Sequence, residues 1–244
     1  MRFRRLRMAE LARHGDKNQT QTNPTFRTET RIPVPKHCDL LSLSTLKAGT
    51  TFHIVHLSKY DATELNPGKA GNARFSPIKD KHGHAIATIY AGTTLQCALM
   101  ETIFHDVPYT PGLKTLDKNK LTNHVHSKIK LSRSLKLINL GSVALRRLGI
   151  ARHQLIDTEK ELYPETRAWA SAIHGLCKQA QGLTWTSRQD DSARAIMLFG
   201  DRLTDRAFES VDEPRNILKD GVTYAKVLSL ATRIGVDLVT TTQP

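Results

Sequence analysis

Two hydrophobic rhythms run along this chain. From Thr51 to Leu57, TFHIVHL sets Phe52 and Ile54 against His53, Val55 and Leu57, the alternation of a strand at a core. His53 and His56 are read there as strand residues with local hydrogen bonds, not as ligands. Asn66-Pro67-Gly68 and Gly71 force turns. A β-branched run, AIATIYAG, predicts a strand ending at Tyr90-Ala91-Gly92, and Thr93 or Thr94 then caps a helix over LQCALMETIF. Between Thr122 and Leu140, two strand-like runs flank Ser132-Arg133-Ser134 and predict a hairpin. Ser142 starts a short helix, and Pro164 opens a longer one whose Trp169, Ile173 and Cys177 lie beside Ala168, Ala172 and Leu176. Trp169 and His174 are read as packing. LTWTS and RAIMLF form two more strands, and TYAKVLSLATRIGV is a helix stopped at Gly235.

Before the first strand the pattern lapses. NQTQTNPTFRTETRIPVPKHCDL is polar and proline-punctuated, so residues 1–48 read as an extension, with Leu40, Leu41, Leu43 and Leu46 packing its end onto a domain at 49–240. A chain of 244 residues is long enough for one enlarged domain with such a tail.

One polar residue breaks the periodicity of the helix after Gly92. At about 100° per residue, Leu95, Leu99, Ile103, Met100, Phe104, Cys97 and Ala98 cover most of its circumference, and Glu101 falls among them. A charge withdrawn from water is costly unless paired or protonated, so Glu101 needs a partner or a task. Arg74 and Tyr90 are the nearest candidates along the chain. Arg74 follows Gly71 and Ala73 and precedes Ser76, small neighbours that let a ligand approach the backbone. Alone it reads as a surface charge; in that setting its planar guanidinium suits phosphate. GNARFS is no dinucleotide fingerprint, since it lacks GxGxxG and opens no helix. Tyr90 reads either as a core-edge tyrosine or as a stacking platform for a flat heterocycle. Ser187, at a strand end beside Arg188, has no GxSxG elbow around it, but a hydroxyl can donate to phosphate or ribose without activation.

Composition narrows the classes. A net charge of +13 invites a nucleic-acid-binding reading, but the basic residues are scattered and no helix-turn-helix or zinc-finger pattern accompanies them. A basic module for RNA or DNA therefore stays a rival supported by charge alone. No run of about 18 apolar residues exists, so no membrane span is expected. The basic start lacks the apolar stretch of a secretory signal, and a cytoplasmic location is the default. Cys38, Cys97 and Cys177 lie far apart without CxxC, so neither a disulfide framework nor a zinc site is expected.

Taken in order, the pieces are an arginine in a glycine-containing turn followed by an aromatic and Ser-Pro, a strand ending in Tyr-Ala, ALMETIFH, TRAWASAIH, GLTWTSR and a strand ending in LF. This order resembles the RES-domain family, named for its Arg, Glu and Ser and known mainly as toxins of bacterial RES–Xre toxin–antitoxin modules. The resemblance spans roughly residues 50 to 235. It implies a compact α+β fold with mixed or antiparallel sheets and flanking helices, similar to ADP-ribosyltransferase toxins. It also implies NAD as substrate, cleaved at the nicotinamide–ribose bond by phosphorolysis or hydrolysis, or alternatively used to ADP-ribosylate a protein. Inorganic phosphate is then a possible co-substrate, no metal is required, and the partner is an Xre-type helix-turn-helix antitoxin. By position the family's residues are Arg74, Tyr90, Glu101 and Ser187, with Arg74 and Glu101 in the chemistry and all four around NAD. One departure is Asn72-Ala73 where a Gly-Gly pair commonly precedes the arginine.

The chemistry of these side chains agrees with that assignment. Breaking the nicotinamide–ribose bond builds positive charge on the sugar, which a carboxylate near C1″ stabilises; Glu101 would do this. Arg74 would neutralise pyrophosphate or bind incoming phosphate, Tyr90 would stack on nicotinamide, and Ser187 would donate to a phosphate or ribose oxygen.

Overall fold

The computed structural model describes residues 32–108, 110–204 and 206–241. The expectations for residues 1–31 lie outside the described residues. The strands among the described residues are β1 (Leu43–Leu46), β2 (Thr51–Leu57), β3 (Ile78–Lys79), β4 (Ala85–Ile86), β5 (Thr88–Gly92), β6 (Lys114–Asp117), β7 (His124–Leu131), β8 (Leu135–Asn139), β9 (Gly182–Thr186), β10 (Arg194–Phe199), β11 (Phe208–Ser210), β12 (Arg215–Asn216) and β13 (Val236–Val239). The helices among the described residues are α1 (Leu95–Thr102), α2 (Ser142–Arg147), α3 (Arg152–Leu155), α4 (Tyr163–Leu176) and α5 (Gly221–Arg233). The fold is α+β, with a curled, mainly antiparallel sheet and flanking helices.

Nine strands form the main sheet, in the order β1-β8-β9-β10-β5-β2-β7-β11 with β12 also on β7. The hairpin expected around Ser132-Arg133-Ser134 does not form. β7 pairs with β2 and β8 with β1, and the register carries across the break: Leu46 faces Leu135, Thr51 faces Lys130. Residues 132–134 are thus a bend in one long ladder that folds the sheet over on itself, not a reversal of the chain. Both runs were legible as strands, but apolar alternation does not say whether a polar break turns the chain back or only bends it. The 183–199 pair is a true hairpin, with Thr186 opposite Arg194.

β10 explains why its run is apolar throughout. Ala195, Met197 and Phe199 belong to a core beneath α4, with Trp169, Ile173 and Trp185, whereas Ile196 and Leu198 face the inside of the curl with Phe52, Ile54, Ile129 and Leu137. A strand buried on both faces has no polar alternation to show. A third core joins α1 to α5 through Leu95, Leu99, Phe104, Val227 and Leu230.

The described part of the N-terminal segment is integrated with the domain. β1 extends the sheet edge, and Ile32 and Leu41 are buried, although Leu40 and Leu43 are exposed. Contrary to the expectation from spacing, Cys38 and Cys177 form a disulfide across 139 residues, with Cα atoms 5.3 Å apart. Sequence distance carries no record of two segments that meet only through the fold. The closing helix ends just before Gly235, whose φ of +68° suits the C-cap turn, and the chain then adds β13, parallel to β6, which the pattern did not announce.

Candidate active site

The site forms where the sheet comes apart. β2 and β5 meet at a single residue pair, His53 with Gly92, and α1 packs into the gap they leave. The helix can sit that close because residue 92 has no side chain: a Cβ there would lie 2.9 Å from the Ala98 nitrogen and from Cys97 Sγ. Thr94 caps α1, its hydroxyl accepting from the Cys97 N–H at 3.0 Å. Cys97 then faces the α4-side core while Leu95, Ala98 and Leu99 face the α5-side core, leaving Glu101 half-buried between them.

Its direct partner is neither Arg74 nor Tyr90 but Ser187. The serine is fully buried; its hydroxyl donates to Glu101 Oε1 at 2.7 Å and accepts from the N–H groups of Gln189 and Asp190 at 3.0 and 3.1 Å. A hydroxyl has one proton, and here it is given to the carboxylate. Burial, reinforced by the Glu101 charge, pushes the neighbouring Cys97 thiol up to about 12, so it is no nucleophile.

Arg74 is not a surface charge: it is 7% exposed. Its Nη1 donates to the Thr158 carbonyl and hydroxyl at 3.2 and 2.7 Å, and the guanidinium lies 5.2 Å from the Tyr163 ring centre. Its own carbonyl accepts from the Thr166 hydroxyl of α4. Tyr90 secures the same turn, its hydroxyl accepting from the Phe75 N–H at 3.3 Å, while Phe75 packs edge-on against Trp185. Burial lowers the Arg74 pKa, and the nearby Tyr163 and Glu101 oppose that shift. Among the described residues no carboxylate lies within ion-pair distance of this guanidinium, so it offers a positive charge to an incoming anion. Burial also raises the Tyr90 phenol, which stays protonated.

Arg74, Tyr90 and Glu101 line one cavity of about 220 Å³ with His53, His105, Tyr163 and Trp185. A larger space of about 660 Å³ adjoins it, sharing Arg74, Glu101, His105 and Tyr163 and adding Lys160, Arg188 and Glu159. Three of the four sequence candidates thus face a common cavity, and the fourth reaches it through Glu101. Sequence reasoning missed Thr158, which also accepts from Arg188 Nη1 at 2.6 Å, and Tyr163 and His105. His105 stood within ALMETIFH, four residues past Glu101; Thr158 carried no signal. His53 is not locally bonded as expected: its Nδ1 lies 2.8 Å from His126 Nε2, on the neighbouring strand. Among the described residues no group of three or more His, Cys, Asp or Glu side chains is arranged to hold a metal ion, and no helix is long and apolar enough to cross a membrane.

A family model described as the RES domain matches residues 50–217, more than half of the chain. The chain belongs to the RES-domain family. Among solved structures, the crystal structure of the M. tuberculosis MbcT–MbcA toxin–antitoxin complex contains a chain with the same fold: TM-score 0.52 at 12% identity, over 69% of this chain and 84% of that one. No curated protein matches. Within this RES domain, the matched region holds Arg74, Tyr90, Glu101 and Ser187, whereas β1, α5 and β13 lie outside it.

Proposed function

We propose that this RES-domain protein cleaves the nicotinamide–ribose bond of NAD and acts as the toxin of a toxin–antitoxin pair, held by a helix-turn-helix antitoxin. The observation that carries the enzymatic part is the convergence of Arg74, Tyr90 and Glu101 on one cavity. The partner rests on family membership and on the toxin–antitoxin complex that shares the fold. The smaller cavity would take nicotinamide and its ribose, with Glu101 beside C1″ to stabilise the oxocarbenium-like transition state. Arg74, at the junction of the two spaces, would meet the pyrophosphate, and Tyr90 would wall the nicotinamide pocket. Ser187 acts through Glu101, holding one carboxylate oxygen so that the other faces substrate.

Purified protein incubated with NAD, with and without inorganic phosphate, is expected to release nicotinamide, followed by proton NMR. Glu101→Ala is expected to slow release by about 100-fold or more. No NAD loss in either condition, with no protein becoming ADP-ribosylated, would end this proposal.

A further inference from the structure

A relay of three side chains borders the site and has no part in the roles above. His105, just past the end of α1, places Nδ1 2.6 Å from Asp106 Oδ1 and Nε2 3.3 Å from the Tyr163 hydroxyl. A carboxylate only accepts, so Nδ1 carries the proton of the neutral ring and Nε2 keeps its lone pair. Asp106 is also paired with Lys160, which holds the carboxylate in place and ionised. Carboxylate, imidazole and hydroxyl in this order form the arrangement that fixes a basic nitrogen toward a reacting group. His105 lines both spaces of the site, as do Glu101, Arg74 and Tyr163. Glu101 already has its task at the sugar, and taking up the water proton would remove the negative charge needed there.

We infer that His105 is the general base that takes the proton from a water attacking C1″, with Asp106 as a positioning residue that sets its tautomer. This rests on the NAD-cleaving reading above. The water oxygen bonds to C1″ while the C1″–N1 bond breaks, its electron pair returning to the nicotinamide ring nitrogen and cancelling the pyridinium charge. The water proton moves to His105 Nε2 and from there to solvent. ADP-ribose, nicotinamide and one proton result, and no further reactant is consumed. Tyr163 occupies Nε2 until water replaces it.

The two acceptors separate this role from a structural one. Water must lose a proton as it attacks; phosphate dianion already carries the charge and needs no base. The experiment measures nicotinamide release by wild type, His105→Gln and Asp106→Asn, in phosphate-free buffer and in excess inorganic phosphate. Both variants are expected to lose about 100-fold (His105→Gln) and about 10-fold (Asp106→Asn) of hydrolysis, while phosphorolysis changes less than about 3-fold. Retained phosphorolysis also reports that the variants are folded. Asp106 is largely exposed, so its replacement keeps the test open should His105→Gln unfold. Equal losses with both acceptors, no loss with either, or a wild type that releases nicotinamide only with phosphate would overturn the inference. A wild type inactive with both acceptors would instead remove the NAD-cleaving reading on which it rests.

Discussion

At the scale of single residues, the site depends on where protons are committed. Ser187 gives its proton to Glu101 and uses its lone pairs to receive two backbone N–H groups, so it links the carboxylate to the turn after β9. Ser187→Ala leaves those N–H groups without their acceptor and releases Glu101. The expected result is a stability loss of roughly 1–3 kcal/mol and a kcat for nicotinamide release lower by about 10-fold, with KM nearly unchanged, checked by thermal unfolding and steady-state kinetics. A large rise in KM alone would instead place the hydroxyl on the substrate. How much of this was legible in sequence follows from the same residues. Glu101 stood out because a lone carboxylate interrupts an apolar helix, and Arg74 because small residues surround it. Its partner Ser187 lies 86 positions away, and no local rule measures that separation. Thr158 contributes chiefly a backbone carbonyl, which every residue type possesses.

At the scale of elements, the site depends on the fit of α1 into the parting of β2 and β5. Gly92 is the point of contact: an added methyl group would meet the backbone nitrogen of Ala98, which cannot swing aside as a side-chain end can. Gly92→Ala is expected to cost about 1–3 kcal/mol and, by pushing α1 outward, to lower nicotinamide release more than the stability loss explains. Thermal unfolding beside kinetics at a temperature where the variant is folded checks this; full activity in a folded variant would show that the contact has slack. Strand and helix runs were readable from periodicity here, and a hydroxyl cap at Thr93 or Thr94, of which the structure uses Thr94. Pairing was not. Ser132-Arg133-Ser134 has the composition of a turn, yet the ladder continues past it because β1 and β2 together supply partners for β8 and β7 in a single register.

At the scale of the whole molecule, segments far apart in sequence close the sheet and also set its response to acid. β2 carries His53, on the wall of the site, and β7 carries His126, hydrogen-bonded to it at 2.8 Å. Burial lowers both pKa values, and Lys128 and Lys226 add to it; His126 is brought down to about 4. The unfolded chain takes up protons on these rings near pH 6.5, whereas the folded chain does so only at lower pH. Between those limits the unfolded state binds more protons, so stability falls as pH falls. For His126 alone the loss from pH 7 to pH 4 amounts to roughly 3 kcal/mol, at about 1.4 kcal/mol for each pH unit between the two pKa values. The chain's net charge of +13 works in the same direction, because acid adds to an existing excess of positive charge. Thermal unfolding across pH 7.5 to 4.5 is therefore expected to show a falling midpoint, and His126→Gln, which keeps a polar side chain without a titrating ring, a shallower fall. Parallel profiles for the two proteins would mean that the acid response arises elsewhere in the sheet.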